Sequence, residues 1–435
     1  MFFIKFLNIS FFSLPINFLF YFFVQKQKTL FFPPMNNRQE LKRPFEEAFA
    51  ELNADIITNG DLAILKDQGY VVIRKVVSEA FVDEMNSYID QWFKSIPCYN
   101  GKLTSYQAKV HNIMKGEGVG HNFSNWMLRT HPNVISIWCK LWNCTADQLV
   151  VSLDGFRQMP SSYKPKKEDG VVKSWTHVDE GDIANDLIIN ITGNTVPLTK
   201  AFDGSVSFQM SIATSDVDEN DGCFLCIPKG HTHFKEMVSG KEMFQILGKE
   251  KLDFLAKKGL VEKRITGIKK GDAIIWNSKT PHRGDSALVD NGKISSVVFV
   301  CYTHRNNISK GDLVRRKAAF GSIFGPDAKS ILATSSHSPG GNNFKVNAPP
   351  RLYGAKTKEE QEKQRIEMRP SEKEIVCAWD VSSDIFPQSL FRLYHSLCYT
   401  NLEICNHPLP SSYTAPSEQE VMACFKKLHE KKLNK

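Results

Sequence analysis

The sequence predicts a mainly β fold with flanking helices, of the α+β class, and three observations predict it. Short apolar runs bounded by Gly, Pro, Asn and Asp recur through the middle of the chain, as buried and half-buried strands do. Two longer stretches carry apolar residues at three- and four-residue spacing, the pattern of helices packed on a sheet. The length of 435 residues exceeds the size at which one core usually stops growing, so a main domain of roughly 250 to 280 residues with extensions is expected.

Taken in order, helices are expected near 40–52 and 60–67. Gly69 to Val77 reads as a strand, and Ser78 to Phe93 as a helix with Val82, Met85, Ile89 and Trp92 on one face. Pro132 to Asn143 is a second helix: proline suits its first turn, and Val134, Ile135, Trp138 and Leu141 form its stripe. Gln148 to Met159 is a strand interrupted at Gly155. Gly204 to Ala213 and Cys223 to Ile227 are strands joined by a polar stretch rich in Asp, Asn and Gly, which reads as a hairpin with a long connection. Pro228 and Gly230 end the second strand before a helix start. Lys270 to Trp276 is a further strand, and Thr303 to Phe324 reads as a helix beside the sheet. Beyond residue 325 lie the linker signals Ser335 to Gly341 and Ala348-Pro349-Pro350. Charged helices are expected near 357–367, 385–398 and 417–432, the last opened by a capping box from Ser417 to Glu420. The expected organisation is a hydrophobic segment over 1–34, a main domain over 35–324 and a helical and loop extension over 325–435.

Two short stretches carry the chemistry: Trp175-Thr176-His177-Val178-Asp179, and the run from Trp276 to Asp285 that contains His282. On an extended strand, residues two apart face the same way, so His177 and Asp179 can present an imidazole and a carboxylate to one point. His282 can supply a third ligand. Two imidazoles and a carboxylate on one face of a metal leave the opposite positions open, which suits Fe(II) enzymes that bind a cosubstrate and O2 together. A bare His-x-Asp pair is common on protein surfaces, so the surrounding text has to carry the assignment.

That text is specific. The run Gly204 to Ala213, the Asp- and Asn-rich turn ending at Gly222, the strand from Cys223 and the Pro228-Lys229-Gly230-His231 stop resemble the signature of the phytanoyl-CoA dioxygenase family of Fe(II)/2-oxoglutarate oxygenases. Gly69 to Val77 with its following helix, and Lys270-Gly271-Asp272 leading to Trp276, are similar to the family's N-terminal strand and to the strand before its distal histidine. The resemblance covers roughly residues 60 to 305 in the family's order. It implies a double-stranded β-helix core (a jelly roll, cupin-like), with His177, Asp179 and His282 as metal ligands and catalytic residues. It also implies Fe(II) as cofactor, 2-oxoglutarate and O2 as cosubstrates, and ascorbate as an optional accessory reductant. Because Asp179 is retained, the resemblance favours a hydroxylase over a halogenase.

One position departs from the family's pattern. Where the family carries an arginine about eleven residues after the distal histidine, to grip the far carboxylate of 2-oxoglutarate, this sequence has Lys293. Lysine offers a point charge instead of a two-donor fork. Lys293 is therefore either that anchor or a solvated residue following the Asn291-Gly292 turn, with Arg283 and Arg305 as alternatives; strand parity argues against Arg283, the neighbour of an inward ligand. Lys109, Gln209 and Gly284 are further candidates for cosubstrate contact, Gly284 because a missing side chain allows close approach to the backbone.

Composition bounds the partners. The 10 cysteines show no framework spacing, and Cys223 and Cys226 fall three apart on a strand, on opposite faces, so free thiols in a reducing compartment are expected. The net charge of +8 is concentrated in Lys426 to Lys432 and Lys164 to Lys167; without an aromatic binding face, these runs read as solvated surface, and nucleic acid is not an expected partner. Residues 1–24 are nearly continuous Phe, Ile and Leu, interrupted by Lys5, Asn8, Pro15 and Asn17, with no small-residue cleavage site. They are either a membrane anchor or the product of a start placed upstream of Met35; the location is cytoplasmic, or membrane-anchored if the segment is genuine. The leading expectation is hydroxylation of a small-molecule or lipid-like substrate with release of succinate and CO2. The same chemistry on a nucleobase or protein, and a non-catalytic scaffold, are the alternatives.

Overall fold

A computed structural model describes residues 56–95, 113–114, 123–152, 154–164, 167–168, 171–172, 174–181, 187–189, 195–197, 199–240, 244–308 and 417–433. The helices are α1 (Asn59–Gln68), α2 (Glu79–Ser95), α3 (Phe123–Arg129), α4 (Pro132–Trp142), α5 (Lys249–Lys257) and α6 (Glu418–Leu433), with a single turn at Phe234–Met237. The strands are β1 (Tyr70–Ile73), β2 (Ile113–Met114), β3 (Leu149–Val151), β4 (Phe156–Pro160), β5 (Lys167–Glu168), β6 (Val171–Val172), β7 (His177–Val178), β8 (Leu187–Ile189), β9 (Thr195–Pro197), β10 (Phe208–Ala213), β11 (Cys223–Cys226), β12 (Gln245–Ile246), β13 (Lys263–Ile265), β14 (Ala273–Asn277), β15 (His282–Asp285), β16 (Ile294–Phe299) and β17 (Tyr302–His304).

Two antiparallel sheets dominate. The larger runs β1-β14-β10-β16-β4-β2, and the smaller runs β12-β7-β15-β11-β13. From β4 to β16 the chain passes back and forth between them, so each sheet is assembled from strands distant in sequence. The period of two then sorts each strand of the larger sheet into two faces. On β10, Phe208, Met210 and Ile212 join the main hydrophobic core, while Gln209, Ser211 and Ala213 line a cavity. On β14, Ala273 and Ile275 point to that core, and Ile274 and Trp276 to the cavity. Helices α2, α3 and α4 cover the core-facing side, with Trp126, Trp138 and Trp142 buried among them.

Local chemistry explains the element ends. Thr58 caps α1 by accepting from the Asp61 amide at 3.1 Å, and Asp61 returns the contact to the Thr58 amide at 2.8 Å. Gly69 closes α1 with φ of 78°, a conformation glycine adopts without strain. Any side chain there would also meet the Thr280 hydroxyl, a Cβ lying 2.4 Å from Thr280 Oγ1. That hydroxyl donates to the Gly69 carbonyl at 2.8 Å, tying the α1–β1 corner to the segment that carries His282.

Several expectations change. The strands at 208–213 and 223–226 form no hairpin: β10 pairs with β14 and β16, while β11 pairs with β13 and β15 in the other sheet. Their polar connection crosses between sheets, and its length allows the crossing. The strand expected over Gln148 to Met159 is divided, β3 pairing with β17 and β4 joining the larger sheet. The helix expected from Thr303 is replaced at its start by β17 and a 3-10 turn at Arg305–Asn307; residues 309–324 lie outside the described residues. So do the helices expected near 40–52, 357–367 and 385–398, and residues 1–34. Among the described residues, no helix is long and apolar enough to cross a membrane.

The helix expected near 417–432 is α6. Its Ser417 and Glu420 form the capping box, and Glu418 reaches back to the ring of His131 at 2.7 Å. Burial holds the His131 imidazole below its ordinary pKa, with the Glu418 contact opposing. His231 is likewise lowered, again chiefly by burial. A depressed histidine pKa means that the unfolded chain takes up protons first as pH falls. The contribution to stability is full above about pH 6.5 and is lost as pH drops through the lower folded values. The melting temperature is therefore expected to decline from about pH 6.5 downward. His131→Asn keeps a helix-capping side chain and should flatten the decline; an unchanged pH profile in that variant would contradict the assignment.

Candidate metal centre

β7 and β15 lie side by side in the smaller sheet, with His177 directly opposite His282. Asp179 follows β7 and is held by its own amide, which donates to the Ser278 carbonyl at 2.9 Å. The three side chains converge: His177 Nε2 lies 3.4 Å and His282 Nε2 3.3 Å from Asp179 Oδ2, and all three ligand atoms fall within 4.8 Å of one another.

The imidazoles are oriented from behind. His177 Nδ1 is 3.0 Å from the Trp175 carbonyl, and His282 Nδ1 is 2.8 Å from the Thr280 carbonyl. A carbonyl only accepts, so each Nδ1 carries the proton and each Nε2 presents its lone pair to the shared point. The Trp276 indole N–H donates to His282 Nε2 at 3.2 Å, which identifies that nitrogen as an acceptor by a second route. Burial pushes the His282 pKa down, and His177 adds to the effect. Burial alone would raise Asp179, yet the facing His177 and His282 hold its carboxyl well below the usual range, so it stays ionised. Two imidazoles and a carboxylate form a donor set that fits a divalent transition metal.

Gln209, on β10, crosses from the larger sheet to this centre. Its amide nitrogen donates to Asp179 Oδ2 at 2.8 Å and lies 3.3 Å from the Ser278 hydroxyl. Its oxygen is buried without a hydrogen-bond partner among the described residues. The walls are aromatic. Trp175 stacks on His177 at 4.9 Å, Phe244 lies 4.8 Å from the same ring, and Phe224 and Trp276 flank His282 at 5.7 and 5.3 Å. Between the sheets is a cavity of about 80 Å³, largely apolar, whose polar lining includes Gln209, Ser211, Ser295 and Arg157.

The other residues singled out in the sequence fall in different places. Lys293 follows Gly292, whose φ is 74°, and its ammonium is 2.9 Å from the Asp218 carboxylate on a side chain that is 54% exposed; it does not line the cavity. The Asn-Gly turn places it on the surface instead of at the centre. Arg283 donates to Thr176 Oγ1 at 2.7 Å and pairs with Glu262, an engagement that braces β7 against β15. Arg305 lies in the 3-10 turn, off the cavity, and Lys109 lies outside the described residues. Gly284 does permit a close approach, but the group that approaches is the protein's own Arg157: a Cβ at Gly284 would stand 2.5 Å from the guanidinium carbon. Cys223 and Cys226 are buried free thiols, raised by burial in both cases and to about 11 for Cys223.

Arg157 also lines this cavity. Its signal in the sequence is a lone cation inside an apolar strand, Phe156-Arg157-Gln158-Met159.

A phytanoyl-CoA dioxygenase family model matches residues 65–287, which include all three converging side chains. The chain belongs to the phytanoyl-CoA dioxygenase family. Iron and 2-oxoglutarate are accordingly its cofactor and cosubstrate, and the His177, Asp179 and His282 donor set fits the metal. Ava biosynthesis cluster protein O of Aspergillus versicolor is 21% identical over 276 residues, covering 58% of this chain and 80% of that protein. Among solved structures, GlcNAc Inducible Gene 2 of Candida albicans is 13% identical, covering 90% of this chain and 92% of that one at a TM-score of 0.45. HygX of Streptomyces hygroscopicus, solved with nickel and 2-oxoglutarate bound, is 13% identical, covering 56% of this chain and 86% of that one at a TM-score of 0.36.

Proposed function

We propose that this family member is an Fe(II)/2-oxoglutarate-dependent hydroxylase of a small, predominantly apolar or lipid-like molecule. The observation that carries the reading is the convergence of His177 Nε2, Asp179 Oδ2 and His282 Nε2 at the wall of an apolar cavity. The alternation of strands between two antiparallel sheets supports a double-stranded β-helix as the scaffold. His177, Asp179 and His282 would hold the metal on one face. When bound, the metal with 2-oxoglutarate and O2 supplies an oxidant that replaces a substrate C–H by C–OH, as the keto acid becomes succinate and CO2.

The chain's own residues position and protect that chemistry. Gln209 fixes the Asp179 carboxylate. Trp175, Phe224 and Trp276 keep water from the ligand rings, and side chains such as Ile113, Ile274 and Phe299 give the cavity its apolar wall.

The test is an anaerobic titration. Adding Fe(II) and then 2-oxoglutarate should produce the metal-to-ligand charge-transfer band of a chelated keto acid, and apolar substrates should stimulate succinate release in air. Fe(II) binding with no such band overturns the reading. Gln209→Ala is expected to weaken metal affinity by about 10- to 100-fold, because the carboxylate loses the donor that orients it. Equilibrium competition with a chromophoric chelator measures the change.

A further inference from the structure

We propose that Arg157, on β4, grips the far carboxylate of 2-oxoglutarate, in place of a cation at position 293. The inference rests on the oxygenase reading above and adds to it the residue that selects the cosubstrate. The guanidinium belongs to the interior: Arg157 is 7% exposed, and its two cross-strand partners, Ile113 and Val297, line the same cavity. It rests against Gly284, where a Cβ would lie 2.7 Å from both terminal nitrogens. Gly284 is two residues beyond His282 on β15, so the guanidinium stands about 6 to 7 Å along the strand from the metal ligand.

That separation suits the molecule. In 2-oxoglutarate three carbon–carbon bonds, spanning roughly 4 Å, separate the keto carbon from the far carboxyl carbon. A keto acid held at the His177, Asp179 and His282 centre would extend its second carboxylate toward Gly284. There a planar two-donor fork can take both oxygens, whereas a lysine would offer one point charge. The guanidinium lines the cavity beside Gly284. The Asp285 carboxylate is held by Arg264, and Arg157 meets Asp285 through the backbone carbonyl at 3.3 Å. Burial lowers the Arg157 guanidinium to about 10, so it remains charged at neutral pH. Lys293, by contrast, is committed to Asp218 at the surface.

The experiment compares two keto acids on the full-length protein loaded anaerobically with Fe(II): 2-oxoglutarate, and 2-oxopentanoate, which has the same carbon chain without the far carboxylate. The charge-transfer band reads binding without turnover. Wild type should prefer 2-oxoglutarate, and Arg157→Gln should lose about 10- to 100-fold in affinity for it while binding 2-oxopentanoate as before. Lys293→Ala should keep the wild-type preference. Retained Fe(II) affinity certifies the fold of each variant. If Arg157→Gln fails that check, Arg157→Lys replaces it, with an expected loss of about tenfold for 2-oxoglutarate alone. An undiminished preference in the Arg157 variant, or its loss in Lys293→Ala, overturns the proposal and leaves the oxygenase reading standing. Wild type that holds Fe(II) but neither keto acid overturns both.

Discussion

Replacing His177, Asp179 or His282 with alanine is expected to weaken Fe(II) binding by more than about 1,000-fold, roughly 4 kcal/mol, and to abolish the keto-acid charge-transfer band. The size of the effect follows from geometry. Each ligand atom is within 3.4 Å of Asp179 Oδ2 or is that atom, and neither histidine can shift to cover a missing partner, because each ring is bonded through Nδ1 to a carbonyl two residues before it. Asp179→Asn sharpens the result. It keeps the shape and removes the anion, so a loss as large as that of Asp179→Ala would assign the carboxylate's role to charge. Circular dichroism should show all four metal-free proteins folded. A variant that retains wild-type affinity and the band would remove its residue from the centre.

The sequence made the metal ligands legible because their arrangement is local twice over. His177 and Asp179 share a face through the period of two, and the Trp276 to Asp285 run carries its own strand and turn signals. What joins these two stretches is the β7–β15 pairing, a contact across more than a hundred residues that only the resemblance could suggest. The same distance defeats local reading elsewhere. β10 and β11 look like a hairpin because they are adjacent in the text, but β10 takes its partners from β14 and β16, and β11 from β13 and β15. Helices fared better. The stripe on α4 and the cap of α6 are set within one or two turns, so Pro132–Trp142 and Glu418–Leu433 fall where periodicity and capping place them. Arg157 lay hidden for the opposite reason: its inward direction is local, but its meaning depends on Gly284, which lies on a strand of the other sheet. Lys293 was visible as the residue in the family's expected position, and its surface pairing with Asp218 comes from a turn some seventy residues earlier.

Phe425→Ala is expected to cost about 3 to 5 kcal/mol, lowering the melting temperature by about 10 °C, although the residue lies far from the metal centre. Phe425 is 1% exposed on α6, with its ring edge-to-face against Phe123 of α3 at 6.0 Å, and Val421 and Cys424 fill the same buried face. This apolar stripe belongs to the main hydrophobic core, and Glu418 at the start of α6 reaches both His131 and Ser78 at the ends of α4 and α2. The far end of the chain therefore closes the helical layer that backs the larger sheet, and the sheet in turn holds Gln209 against Asp179. Loss of the Phe425 ring leaves a cavity between α3 and α6 that neither helix can collapse into while its polar tether at Glu418 holds. Lys426→Ala, one residue away and exposed, should change the melting temperature by less than about 2 °C. Cys424 supplies an independent reading, since burial pushes its thiol up to about 12 and makes it unreactive. Alkylation of Cys424 should be slow in the wild type and markedly faster in Phe425→Ala. Equal alkylation rates together with an unchanged melting temperature would detach α6 from the core and, with it, the C-terminal segment from the stability of the catalytic domain.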